Sequence, residues 1–95
     1  MPTISIRRKF KMFHKIKNIE TLPNLILKIK FENNEIKYYD MKNVIKKIKE
    51  FDILNNKNIF KNAQIDVGGY AVIWNEYLDV DCEELYVNGF SNLEN

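Results

Sequence analysis

Around Asp40 the spacing of apolar residues changes period, and that change restricts the fold more than any other feature of the chain. Over residues 25–31, Leu25, Leu27, Ile29 and Phe31 fall on one side while Lys28, Lys30 and Glu32 fall on the other. A period of two predicts a strand with one buried face. Asn33-Asn34 follows, and Asn tolerates the positive φ that a tight hairpin turn demands. Residues 35–39 are therefore expected to return as a strand, with Ile36 and Tyr38 inward and Tyr39 outward. Beyond Asp40 the period becomes 3.6. Met41, Val44, Ile45, Ile48 and either Phe51 or Asp52 mark one stripe of a helix over 41–52. Asp40 is placed to cap it, and Lys42, Lys46, Lys47 and Lys49 face outward.

The flanking segments extend the pattern. Residues 13–20 predict a first strand carrying Ile16 and Ile19, closed by a turn at Thr21-Leu22-Pro23-Asn24. Asn58-Ile59-Phe60 is expected to add a short turn that plugs the core. Ala63, Ile65 and Val67 alternate as a strand, Gly68-Gly69 reverses the chain, and residues 70–74 form its partner. Asn75-Glu76 reads as another turn. Asp81-Cys82-Glu83-Glu84 resembles a capping box before a short helix over 82–87, which Asn88-Gly89 would stop. The expected architecture is α+β: a three-stranded antiparallel meander plus a C-terminal β-hairpin, one main helix on the apolar sheet face, and a short terminal helix. Residues 1–12 read as an N-terminal extension, 13–89 as a single domain and 90–95 as a tail.

A chain of 95 residues makes one domain, and 45% hydrophobic content with 13% aromatics supplies its core without staples. The one cysteine, Cys82, has no partner for an internal disulfide, which points to a reducing, cytoplasmic setting. No apolar run approaches the ~20 residues a membrane helix needs, and none resembles a signal-peptide core. Lys, Asn and Ile occur 13 times each. All three have A/T-rich codons, so a low-GC genome accounts for part of the lysine content.

Charge is divided along the chain. Residues 1–61 hold all 15 Lys and Arg against six acids, a net of +9, while residues 62–95 hold seven acids and neither Lys nor Arg, a net of −7. Such a split marks a basic binding surface, an acidic mimic of one, or two halves that attract each other within one fold.

Catalytic constellations are missing from the sequence. Cys82 as a nucleophile needs a histidine, and the single one, His14, lies at the other end of the chain. One Cys and one His fall short of a zinc site. Asp79, Asp81, Glu83 and Glu84 lack the Gly and alternate spacing of a calcium loop. Gly68-Gly69 precede a strand, not the helix of a phosphate loop. The expectation is a non-enzymatic protein without cofactor or metal.

Phe31, Asn33-Asn34, Asp40, Phe60, Gly68-Gly69, Trp74, Asp79 and Glu84-Leu85-Tyr86 together resemble, in order and spacing, the bacterial domain-of-unknown-function 2442 family, over about residues 13–89. The usual Asn-Gly turn is Asn33-Asn34 here, and Cys82 replaces the Pro often found before the last helix. The resemblance implies a compact α+β domain of bacterial or phage origin. Members often sit beside small partner genes in arrangements that suggest toxin–antitoxin pairs, and the family brings no catalytic residues to transfer. The expected function is therefore a protein-binding module, antitoxin-like or inhibitory, whose partner is a cognate toxin or a defence-system component. The alternative is a nucleic-acid-binding accessory protein using a Lys-rich face. Candidate partner-binding residues are Lys28, Lys30, Lys37, Lys42, Lys46 and Lys49, with Tyr39 as anchor.

Overall fold

Alternation builds the first sheet. In the computed structural model, which describes residues 14–92, β1 (Ile16–Leu22), β2 (Ile26–Phe31) and β3 (Ile36–Asp40) form an antiparallel meander. Leu27, Ile29 and Phe31 are fully buried, as their shared parity requires. The expected extension over 1–12 lies outside the described residues, as do residues 93–95 of the expected tail. β1 continues through Thr21 and Leu22, where a turn was expected. The reversal is made instead by a 3-10 turn over Pro23–Leu25, in which Asn24 and Leu25 both take positive φ.

β3 is turned over relative to the expectation. Tyr39 is only 7% exposed and belongs to the core, whereas Ile36 is 38% exposed. The cause is loop length. A two-residue turn at Asn33-Asn34 would pair residue 32 with 35. The structure closes the hairpin one residue further out: Phe31 N–H donates to the Glu35 carbonyl at 2.9 Å, and Asn34 N–H donates to the Phe31 carbonyl at 2.8 Å. Asn34 adopts the left-handed conformation, with φ of 73°. This is a three-residue loop with Asn where Gly is usual. It pairs Leu27 with Tyr39 and Ile29 with Lys37, and one residue of slip exchanges the two faces of a strand.

The expected single helix is split in two. α1 (Met41–Lys47) is capped by Asp40, whose carboxylate accepts from the Lys42 N–H at 2.9 Å. Ile48 is extended, and a 3-10 segment over Lys49–Asn55 follows. Met41 and Leu54 are both fully buried. At 100° per residue an unbroken α-helix would set them roughly 220° apart, on opposite sides. The break at Ile48 allows both to reach the core, and Phe51 and Leu54 share a face at 3-10 spacing. Ile48, expected on the sheet, is left 45% exposed. Asn56 then caps the short α2 (Lys57–Phe60), which buries Phe60 as expected.

The second sheet holds one strand more than the expected hairpin. β4 (Gln64–Ile65), β5 (Ala71–Asn75) and β6 (Leu78–Asp81) run antiparallel in that order. Gly69 takes a φ of 83° in the β4–β5 turn, while Val67, expected inward, is fully exposed there. Asn75 accepts from the N–H groups of Tyr77 and Leu78, which starts β6. Leu78 and Val80 are buried; Asp79 and Asp81 are exposed. Trp74 reaches back to donate its indole N–H to the Phe60 carbonyl at 3.0 Å.

α3 (Cys82–Asn88) joins the sheets. Asp81 caps it by accepting from the Glu83 N–H, but the capping box is not closed, because Glu84 turns toward Tyr39 and Asn88. Cys82 and Leu85 are fully buried. Beyond the helix, Phe90, placed in the tail by sequence, exchanges two main-chain hydrogen bonds with Tyr38. No helix among the described residues is long and apolar enough to cross a membrane.

Candidate partner-binding cleft

The break at Ile48 and the added strand β6 leave a cleft of about 640 Å³ between them. Val44, Ile48 and Phe51 supply an apolar side; Asp79, Val80, Asp81 and Glu84 supply the facing one. Asp40 adds a fourth carboxylate to the lining, against a single lysine, Lys47. Three of the four carboxylates have structural partners. Asp40 caps α1 and pairs with Lys42, Asp81 caps α3, and Glu84 accepts from the Tyr39 hydroxyl at 2.6 Å. Among the described residues Asp79 has no hydrogen-bond or ion-pair partner.

The divided charge is not consumed by lysine–carboxylate pairs between the two halves among the described residues. Among the described residues, no lysine forms an ion pair with an acid of residues 62–95, and the Lys42–Asp40 pair lies within the basic half. The acidic cluster is also dispersed. Glu83 leaves the cleft and accepts from the main-chain N–H of His14 at 2.6 Å, with the His14 Nδ1 at 3.1 Å. The imidazole stacks on Tyr86 at 3.5 Å, and Lys37 Nζ sits 5.0 Å from the centre of the Tyr86 ring. The Tyr86 hydroxyl donates to Glu35, and that bond, followed by one from Asn33, holds the Glu35 carboxyl below its ordinary value. This constellation fastens residue 14 to α3.

His14 and Cys82, the one Cys–His pairing available in the sequence, are both neighbours of Glu83, whose Oε2 lies 3.1 Å from the His14 Nδ1 and 4.0 Å from the Cys82 Sγ. Glu83 occupies His14, and burial, ahead of the charges of Asp81 and Glu83, pushes the Cys82 thiol up to about 11. A thiol so placed is protonated at neutral pH.

The seven expected partner-binding residues do not form one patch. Lys28 and Lys30 lie on the sheet face away from the core, opposite Glu20 and Ile36 respectively. Lys37 shares the face of Tyr39 and covers Tyr86. Lys42 donates to the Asn24 carbonyl at 2.6 Å. Lys46 and Lys49 are exposed on α1 and at the start of the 3-10 segment. Tyr39, expected as the exposed anchor, is buried, and its hydroxyl is held by Glu84.

Burial first, and then the Glu84 bond, push the Tyr39 phenol well above its ordinary value. The unfolded phenol ionises near pH ~10, so above that pH the folded chain retains a proton the unfolded chain has lost. The stabilisation is complete below about pH 10 and declines as pH rises past it. Urea midpoints taken through that range should fall more steeply for the wild type than for Tyr39→Phe. Equal slopes would mean that the hydroxyl is not held as described.

Residues 16–91 match the family described as "Protein of unknown function (DUF2442)". The chain belongs to this family. Neither the curated proteins nor the solved structures compared with it gave a match. Within this DUF2442 domain, most residues that carried the resemblance set the fold. Phe31, Phe60 and Leu85 are core, Asp40 is a helix cap, and Gly69 makes the β4–β5 turn. Asp79 and Glu84 line the cleft together with Asp40, and of the three Asp79 alone has no hydrogen-bond or ion-pair partner among the described residues.

Proposed function

We propose that this DUF2442 domain is a non-catalytic protein-binding module and that its partner docks in the cleft between α1 and β6–α3. The supporting observation is the pairing of exposed apolar surface at Ile48 with three carboxylates, Asp79, Asp81 and Glu84, that form no ion pair with a lysine of the described residues; the fourth, Asp40, is paired with Lys42. Interfaces draw most of their energy from a few apolar anchors at the centre, and charge at the rim guides encounter. The cleft supplies both. The role proposed is antitoxin-like or inhibitory, toward a cognate toxin or a component of another system, and this part of the proposal rests on the resemblance to a family whose members often sit beside small partner genes. The scatter of Lys28, Lys30 and Lys37 over two sheet faces gives the nucleic-acid alternative less support.

Affinity capture from the source cells with wild-type and Ile48→Arg domains tests this. Ile48 is exposed, so the variant should keep its thermal midpoint while retention of the partner drops by about tenfold or more, a change of ~1.4 kcal/mol. Retention that survives Ile48→Arg, disappears on nuclease treatment and weakens steeply with salt would replace this reading with nucleic-acid binding.

A further inference from the structure

Among the described residues β6 has a free edge, and the hydrogen-bond parity of its sheet says which main-chain groups line it. On one side of β5, Asp66 N–H donates to the Ala71 carbonyl; on the other, Cys82 N–H donates to the Tyr70 carbonyl. Ala71 and Ile73 therefore bond toward β4, and Val72 bonds toward its register partner Val80 in β6. Asp79 and Asp81 sit at the alternate positions, so their main-chain groups point away from β5. The Asp81 carbonyl opens α3. Among the described residues nothing pairs with the Asp79 N–H, the Asp79 carbonyl or the Asp81 N–H on the cleft side, and β6 is the last strand of its sheet.

We infer that the partner enters the cleft as an extended segment that adds a strand to β6 and alternates basic with apolar side chains. The inference rests on the docking reading above. A strand laid ~4.8 Å from β6 repeats its two faces. Side chains beside Asp79 and Asp81 share their exposed face, where opposite charge is the favourable cross-strand partner. Side chains on the Val80 face meet Val44, Ile48 and Phe51. Three main-chain groups add affinity without regard to sequence, and the alternation adds selectivity. A second copy of the chain is a poor occupant, because pairing β6 with itself sets aspartate against aspartate.

The probe is the capped peptide Lys-Val-Lys-Val-Lys-Val-Lys, with its Glu-for-Lys counterpart and versions N-methylated either at every Lys or at every Val. Binding of the Lys peptide, slowed hydrogen exchange at the Asp79 and Asp81 amides, no binding of the Glu peptide, and loss with one of the two methylation patterns are expected. A peptide indifferent to both methylation patterns overturns strand addition. Asp79→Pro removes an N–H that the β5 ladder does not use, a position where an edge strand tolerates proline. It should lower Lys-peptide affinity by about tenfold or more. Asp79→Lys keeps the main chain intact, should reverse the preference toward the Glu peptide, and serves if the proline variant fails to fold. Partner capture lost in Ile48→Arg yet intact in folded Asp79→Pro would keep the cleft and reject the added strand. Capture unaffected by Ile48→Arg would remove the docking reading itself. Self-association of the wild type abolished by Asp79→Pro would make the edge a dimer seam and overturn the proposal.

Discussion

Leu27→Ala should lower the free energy of unfolding by ~2–5 kcal/mol, the range for large-to-small changes at fully buried sites. Leu27 is fully buried near the start of β2, the middle strand of its sheet, with Thr21 and Tyr39 as its cross-strand neighbours. The loss combines transfer of the removed methyl groups with a cavity that two flanking strands cannot collapse into. For a domain of this size, whose stability is on the order of 5–15 kcal/mol, that is a large share. The informative comparison is Ile36→Ala. Were the hairpin closed by a two-residue turn, Ile36 would face the core and its truncation would cost as much. With the three-residue loop Ile36 is partly exposed, so its truncation should cost under ~1.5 kcal/mol. Urea midpoints for the two variants decide between the registers. Equal losses would mean that Ile36 faces the core and that the loop holds two residues.

The second large effect is expected at Gly89. Its φ is −77°, so conformational freedom is not the reason for glycine there. Space is the reason. A Cβ would lie 2.5 Å from the Leu85 carbonyl oxygen and 3.1 Å from both the Lys37 Cβ and the Tyr38 carbonyl oxygen. Two of these neighbours are main chain and cannot swing aside. Gly89→Ala should therefore push the end of α3 off β3, at a cost of ~1–3 kcal/mol, as overpacking does. Because Phe90 follows directly, the Phe90–Tyr38 exchange of hydrogen bonds should weaken with it. Faster exchange of the Tyr38 and Phe90 amides, beyond the loss of global stability, is the specific readout. An unchanged midpoint with unchanged exchange would show that the helix end is free to relax.

Features written into one contiguous segment were legible in the sequence. The buried face of β2, the caps at Asp40 and Asp81, the plug at Phe60 and the turn at Gly69 each depend on a few neighbouring residues. What was lost depended on counting across a boundary. The face of β3 is settled by whether the preceding loop holds two residues or three, and Asn33-Asn34 is compatible with both. The break at Ile48 is invisible to a periodicity that Ile48 itself satisfies. It becomes necessary only because Met41 and Leu54 must both be buried. β6 could have been found, since Leu78-Asp79-Val80-Asp81 alternates cleanly, but a four-residue strand is easily absorbed into the turn and cap on either side. The cleft is the least legible feature, because its two walls come from the broken helix and from β6.

The burial of Cys82 gives the domain a built-in clock. It is the single thiol in the chain, it is fully enclosed, and its proton is held to about 11. An alkylating reagent has nothing to attack until α3 lifts from the sheets, so the rate of modification under native conditions counts those openings. A second cysteine placed on any exposed face can meanwhile take a fluorophore or spin label selectively, with the native thiol left in place and silent.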